Sequence, residues 1–274
     1  MMAFSGNRMD GKVCVVTGAT QGLGAAIAHR LAAAGAAGVI ITGRNLQRGA
    51  AVARDIGTNG TPAHFIPADF GRVEDCRQVI VETEHLFGRI DVLVNAGAMT
   101  DRGTILDTTP ELFDRMFAVN VRGPYFLMQD AIKLMIRTGT PGAICNIGSI
   151  SGLAGQPFIN TYCASKGALT TLTANTAFSV MGNRIRVNQL NLGWMASDNE
   201  RLLQAAAGGP DWEAQAAAKL PFGRLIDPAE AARAVNFLVS DDAGLMTGAI
   251  VNYDQSVWGA VAGAMPVPDG PMRL

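Results

Sequence analysis

The chain has 274 residues, of which 49% are hydrophobic and 16% charged, with a net charge of −1. That balance supports a large core and excludes a disordered chain. It also excludes the basic footprint of a nucleic-acid binder or a polybasic membrane protein. The opening segment, MMAFSGNRMDGK, lacks the apolar run of a signal peptide, and no stretch approaches the roughly 18 unbroken apolar residues of a membrane span. Cys14, Cys76, Cys145 and Cys163 show no CxxC or metal spacing. They are expected to be reduced core thiols of a cytoplasmic protein.

Strand-like runs alternate with helical windows along the whole chain. KVCVVTGA (12–19) reads as a first strand, GVIITG (38–43) as a second and AHFIPAD (63–69) as a third. RIDVLVNAG (89–97), GAICNIGS (142–149), RIRVNQLNLG (184–193) and GAIVNYDQ (248–255) follow as the fourth to seventh. Helical windows rich in Ala, Leu and Glu separate them. The pattern predicts right-handed βαβ units: one α/β domain spanning residues 1–274, with a seven-stranded parallel sheet covered by helices on both faces. Residues 194–222 stand outside this rhythm as an insertion of the kind that forms lids or binding loops. The Pro/Gly-rich end, about 259–274, is expected to be a mobile tail or an arm on a neighbouring subunit.

TGATQGLG (17–24) falls where the first strand gives way to the first helix. Gly18 suits a tight turn, Gly22 lets backbone approach a diphosphate, and Gly24 permits close helix–strand packing. The following helix offers its free N–H groups to the phosphates. Thr20, Gln21 and Leu23 share the loop and are expected to touch the nucleotide. An acid at the end of the second strand would accept from a ribose 2′-hydroxyl. Here Gly43 holds that place and Arg44 follows, a guanidinium able to fork onto a 2′-phosphate. NADPH is therefore expected over NADH. The alternative is that Arg44 is only the solvated start of the next helix and both cofactors are used.

NTYCASKGAL (160–169) places Tyr162 and Lys166 four residues apart, on one helix face among small side chains. A phenol normally ionises near pH 10, and bringing that to about 7 requires roughly 4 kcal/mol. An ammonium about 4–5 Å away supplies a term of that order at an effective dielectric near 20. So tuned, Tyr162 would donate a proton to a carbonyl or accept one from an alcohol. Ser149 closes the fifth strand, at the sheet edge where ligands of open α/β folds bind, and its hydroxyl is placed to hold the substrate oxygen. Asn120 is a polar residue in apolar company.

With these motifs in place, the chain resembles the short-chain dehydrogenase/reductase family over nearly all of residues 10–258. TGATQGLG matches the family's TGxxxGxG, and VNAG (94–97) its NNAG with Val94 replacing the first Asn. Ser149 stands at the family's spacing from Tyr162. The resemblance implies a Rossmann-like three-layer sandwich and an NADP-dependent oxidoreductase that interconverts a carbonyl and a secondary alcohol. It implies a tetrad: Tyr162 as general acid/base, Lys166 lowering its pKa and holding the nicotinamide ribose, Ser149 orienting the carbonyl, Asn120 supporting a water relay to the lysine. It places Asp69 and Phe70 at the adenine, Asn95, Ala96, Gly97 and Val119 along the adenosine side, and Gly193, Met195 and Ser197 near the nicotinamide. A homotetramer is implied as well, with the helices after the fourth and fifth strands at one interface. Three departures fall outside the tetrad: Leu192 where a proline is usual before Gly193, Ser197 for a threonine, and DQS (254–256) for DGG.

Two other readings stay open. One is a 3-oxoacyl-thioester reductase of fatty-acid type, for which Lys133 and Arg137 make a poor basic docking patch. The other is an NADP-binding sensor or scaffold without turnover, which would have no need of the tetrad. His29, His64 and His85 are too scattered for a metal set, and no metal is expected. Trp194, Met195, Trp212 and Trp258 suit an apolar substrate wall or lid packing equally. Asp198, Asn199 and Glu200 read as substrate contacts or, preferably, as the cap and first turn of a lid helix. Their polarity points to a sugar, polyol or small ketone.

Overall fold

Apolar runs become strands where both faces can be covered, and each strand stops where its backbone finds another partner. The computed structural model describes residues 6–209, 211–257 and 260; Trp258 and all but one residue of the tail lie outside them. Strands β1 (Val13–Thr17), β2 (Gly38–Gly43), β3 (Ala63–Pro67), β4 (Val92–Asn95), β5 (Ala143–Ser149), β6 (Arg186–Leu192) and β7 (Ile250–Tyr253) form one sheet in the order 3-2-1-4-5-6-7. Every pairing is parallel. All residues of β1, β2, β4 and β5 are buried, as a sheet covered on both faces requires.

Alternate side chains feed two apolar layers. Val16, Ile41, Val94 and Cys145 pack with Ile27 and Leu31 of α1 (Gly22–Ala33) and with Val235 and Val239 of α9 (Pro228–Val239). Val15, Ile40, Leu93 and Ile144 meet Val79 of α3 (Val73–Phe87), Leu127 and Met135 of α5 (Gly123–Thr138) and Ala177 of α6 (Asn160–Val180). On the outer strands, α2 (Leu46–Thr58) buries Ala53 and Ile56 in the first layer. Local signals set the helix ends. Pro110 opens α4 (Pro110–Phe117) behind a Thr109 cap that accepts from the Leu112 N–H, and Pro228 opens α9 behind Asp227, which accepts from the Ala229 N–H. Left-handed Gly88 and Gly139 end α3 and α5.

Several observed strands are shorter than expected. β4 spans 92–95 rather than 89–97 because the N–H groups of Ala96 and Gly97 turn to the Thr17 hydroxyl, each at 3.0 Å. β3 ends at Pro67 because the Asp69 N–H goes to the Asp75 carboxylate at 2.9 Å. The insertion folds as two helices, α7 (Asp198–Gly208) and α8 (Trp212–Ala217), with Trp212 buried against Ala196, Ala216 and Leu225.

A run of amides and hydroxyls, buried except for Asn252 at its end, crosses the sheet beneath its carboxyl edge. Asn95 donates to Asn146 at 2.8 Å, Asn146 to Thr173 at 2.9 Å, Thr173 to Gln189 at 3.0 Å, Gln189 to Asn191 at 2.7 Å, and Asn191 to Asn252 at 3.0 Å. Four strands and α6 are thereby joined through side chains alone. All four cysteines are free and buried. Among the described residues, no helix is long and apolar enough to cross a membrane.

Candidate active site

The strand order reverses between β1 and β4, and the turns leaving these two strands open a cleft at the carboxyl edge of the sheet. The two turns touch. Gly18 has φ +65°, and a Cβ there would lie 2.5 Å from the Gly97 Cα, so glycine is required on both conformational and steric grounds. A Cβ on Gly24 would lie 2.4 Å from the Gly18 carbonyl oxygen, which is the close helix–strand approach the motif anticipates. Gly22 has φ +54°, and Gln21 before it gives α1 no side-chain cap. The first N–H groups of α1 therefore face the cleft without a side-chain partner, an anion cradle in the ordinary sense. Thr20 packs its methyl against Gly43, and Leu23 is buried beneath the loop.

Arg44 is exposed at the end of β2, directly before Asn45, whose side chain caps α2 by accepting from the Arg48 N–H at 2.9 Å. Arg48, one turn further, donates to the Gln21 side chain. Sequence reasoning missed Arg48, which stands in the first turn of α2, three residues beyond the Asn45 cap. A cleft of about 1000 Å³ runs from Thr20, Gln21, Gly22 and Arg48 to Asp198 and Arg201 of α7.

The adenine side differs from expectation in one respect. The Asp69 carboxylate is already engaged: it accepts from Arg115 at 2.7 Å through each oxygen and from the Gly71 N–H at 3.0 Å. Burial pushes its pKa up, but the Arg115 hydrogen bond and the Gly71 N–H outweigh it and hold Asp69 below the usual carboxylate range. Arg122 donates to the Gly71 carbonyl at 2.6 Å, so two arginines from the α4–α5 region clamp this loop. Phe70 is buried with its ring against Gly97. Asn95 is buried as well, and its Oδ1 finds no partner among the described residues.

Between α4 and α5 the helix widens into a π turn, Ala118–Arg122, which buries Val119 and Asn120. The Asn120 amide accepts from the Met99 N–H at 2.8 Å and donates to the Met99 carbonyl at 2.9 Å and the Ser165 hydroxyl at 3.0 Å. It ties the loop after β4 to α6, and its side-chain link to α6 runs through Ser165. The Lys166 ammonium donates instead to the Ile147 carbonyl at 2.8 Å.

Tyr162 and Lys166 share a face of α6, with the ammonium 5.6 Å from the centre of the phenol ring. Ser149, buried at the end of β5, interacts with the phenol and accepts from the Ser151 N–H at 3.1 Å. The expected lowering of the phenol's pKa is not found in this geometry. Burial pushes Tyr162 up to about 12, outweighing the Ser149 hydrogen bond, with Glu200 also raising it. Burial likewise pulls Lys166 down to about 8. Desolvation dominates both groups. At neutral pH the result is a protonated phenol beside a charged ammonium, with burial holding the proton on the phenol. Cys163 points away from the pair, accepting from the Gln156 N–H at 3.3 Å.

Gly193 follows β6, and its missing Cβ leaves room for Asp254, which accounts for an acid surviving in DQS. Met195 bridges to Ile226. The Ser197 hydroxyl caps α7, accepting from the Glu200 N–H at 3.2 Å, and its Cβ sits 3.7 Å from where a Cβ on Gly22 would be. Ser197 is thus the cap, one residue earlier than expected, with Asp198 and Glu200 in the first turn, and it lies over the glycine loop. Trp194 is exposed and inclined to Trp212, ring centres 5.8 Å apart, so Trp212 serves the insertion's packing while Trp194 faces outward. Among the described residues no cluster of His, Cys, Asp or Glu is disposed to hold a metal.

A family model described as enoyl-(acyl carrier protein) reductase matches residues 18–256. Sorbitol dehydrogenase of Cereibacter sphaeroides is 31% identical over 259 residues, covering 92% of this chain and 99% of its own. A solved short chain dehydrogenase/reductase family protein is 33% identical with a TM-score of 0.79, covering 90% of this chain and 97% of its own. A 3-oxoacyl (acyl-carrier-protein) reductase from Agrobacterium tumefaciens C58, solved with NADP bound, superimposes with a TM-score of 0.84 at 28% identity, covering 92% and 96%.

Proposed function

The chain belongs to the short-chain dehydrogenase/reductase family and is an oxidoreductase, and we propose that it interconverts a carbonyl and a secondary alcohol with NADP(H), using Tyr162 as general acid/base. The observation that carries this is the meeting of Ser149, Tyr162 and Lys166 at the carboxyl edge of β5, beside the glycine cradle at the start of α1. The residues present fit a dinucleotide: the uncapped N–H groups of α1 suit a diphosphate, and the backbone contact of Gly18 with Gly97 holds the two turns that flank it. Gly43, Arg44 and Arg48 supply positive charge and no acid where a 2′-phosphate would lie.

Bound nicotinamide supplies the hydride. The chain's own residues manage the oxygen and the proton. Ser149 donates a hydrogen bond to the carbonyl oxygen, and Tyr162 delivers its proton to that oxygen as the carbon is reduced. Lys166, charged at neutral pH, favours the phenolate that remains. Asn120 fixes the loop after β4 against α6 and so keeps the phenol in register. A comparison of kcat/KM for NADPH and NADH tests the cofactor assignment; a clear NADH preference overturns it. For the oxidoreductase assignment, the test is a carbonyl and alcohol panel followed by NADPH absorbance.

A 3-oxoacyl-thioester reductase is a second reading, favoured by the NADP-bound neighbour of that name. The disposition of charge speaks against it: Lys133 is engaged with Asp130 and Arg137 with Glu84, which leaves little basic surface on α5 for an acidic carrier. We also propose a homotetramer, supported by the aromatic side chains exposed on α4, α5 and α6, namely Phe113, Tyr125 and Phe178. Light scattering that finds a stable monomer refutes it.

A further inference from the structure

The lid carries a carboxylate with no cation to answer it. Register brings its donor near Ser149: Ser149 pairs with Leu192, and two residues beyond Leu192 stands Trp194, whose indole N–H donates to Glu200 Oε1 at 2.8 Å. Gln204 Nε2 donates to the same oxygen at 2.8 Å. Ser197, the cap of this helix, sits over Gly22, so the first turn of α7 lies against the glycine loop. The raising effect of Glu200 on the Tyr162 phenol agrees with that placement. The one arginine on α7, Arg201, is spent on Glu213 at 3.0 Å and Asp198 at 3.6 Å. Glu200 is therefore oriented by two neutral donors, with Oε2 unbonded and no ion pair among the described residues.

We propose that Glu200 is a specificity-determining residue that accepts a hydrogen bond from a hydroxyl group near the reacting carbon, so that the enzyme takes neutral polyhydroxylated alcohols or ketones and disfavours anionic ones. This deepens the oxidoreductase assignment and rests on it. A hydroxyl donor completes the carboxylate's coordination through Oε2 with a charge-assisted bond. A carboxylate or phosphate on the substrate would meet like charge in a partly desolvated cleft. An analogue without the hydroxyl leaves Glu200 incompletely paired, the kind of discrimination that polar sites enforce strongly.

The test compares wild type with Glu200→Gln, which keeps the side-chain shape and an acceptor for Trp194. Each is given a five- or six-carbon polyol, its analogue deoxygenated beside the reacting carbon, the corresponding aldonate, and an amino-alcohol of matched length. Binding to the NADP-saturated protein is read by calorimetry and turnover by kcat/KM. The expected result is a polyol-to-deoxy ratio that falls about tenfold or more in Glu200→Gln, the loss of one charge-assisted bond, with discrimination against the aldonate relaxed. Equal ratios in both proteins, polyol binding to neither, or a fall confined to the amino-alcohol overturns the proposal. Polyol binding that depends on Glu200 without turnover supports it and instead removes the oxidoreductase assignment to this class.

Discussion

Lys166 should be a charge the fold tolerates at a loss, and that loss can be measured. It is only 3% exposed, and burial lowers its pKa from 10.5 to about 8. At 1.36 kcal/mol per unit, keeping it charged at pH 7 costs about 3 kcal/mol. Its hydrogen bond to the Ile147 carbonyl recovers roughly 1.5–3 kcal/mol. Lys166→Met should therefore abolish turnover while leaving stability at pH 7 unchanged or raised by about 1 kcal/mol, a few degrees in Tm. The sign with pH is fixed by linkage. The native pKa lies below the unfolded one, so between about pH 8 and 10.5 the unfolded chain binds the extra proton and stability rises with pH. The penalty is complete below pH 8. By pH 9.5 wild type should have gained about 2 kcal/mol on Lys166→Met. Urea unfolding of both proteins, at one protein concentration and at pH 7 and 9.5, reads the difference directly. A gap that stays constant between the two pH values refutes the claim that desolvation governs this lysine.

Tyr162→Phe should lower kcat by about a hundredfold or more and leave the NADPH dissociation constant nearly unchanged, because the hydroxyl acts on the proton rather than on cofactor affinity. Arg44→Ser, with or without Arg48→Ser, should narrow the NADPH-over-NADH ratio in kcat/KM by about tenfold, the value of one charge-assisted contact. Gly18→Ala must place a Cβ at φ +65° against the Gly97 backbone, so it should lose about 2–4 kcal/mol in urea unfolding together with most cofactor affinity. Arg115→Gln, which frees the part-exposed Asp69 carboxylate, should cost only about 1 kcal/mol in stability while raising KM for NADPH and sparing kcat.

The sheet was legible because its strands are apolar runs punctuated by glycine and proline, and burial on both faces demands just that sequence. The placement of Tyr162, Lys166 and Ser149 was legible for a different reason: the first two lie within one helical turn, and Ser149 stands at a strand end. What the sequence did not disclose depends on contacts between distant elements. Thr17 holding the Gly97 turn, Arg48 reaching Gln21, and Arg115 occupying Asp69 each require two elements to be placed before the partner is visible. The phenol's ionisation failed as an expectation for the same cause. A charge four residues away can be read from spacing, but the desolvation that outweighs it belongs to the packed cleft. The π turn around Asn120 leaves no pattern in AVNVRG beyond an amide among apolar neighbours.

The amide chain from Asn95 to Asn252 bears on how the sheet finds its alignment. When both surfaces of a strand are oily, sliding it by a residue trades one greasy contact for another, and hydrophobicity alone discriminates weakly between registers. Six polar side chains linked in one arrangement reduce that ambiguity, since a slip breaks those links and strands the buried ones in the interior at roughly 1–3 kcal/mol each. Ser149 sits three residues beyond Asn146 on the same strand, so the network that fixes the alignment of β4 to β7 also fixes where the proposed chemistry would take place.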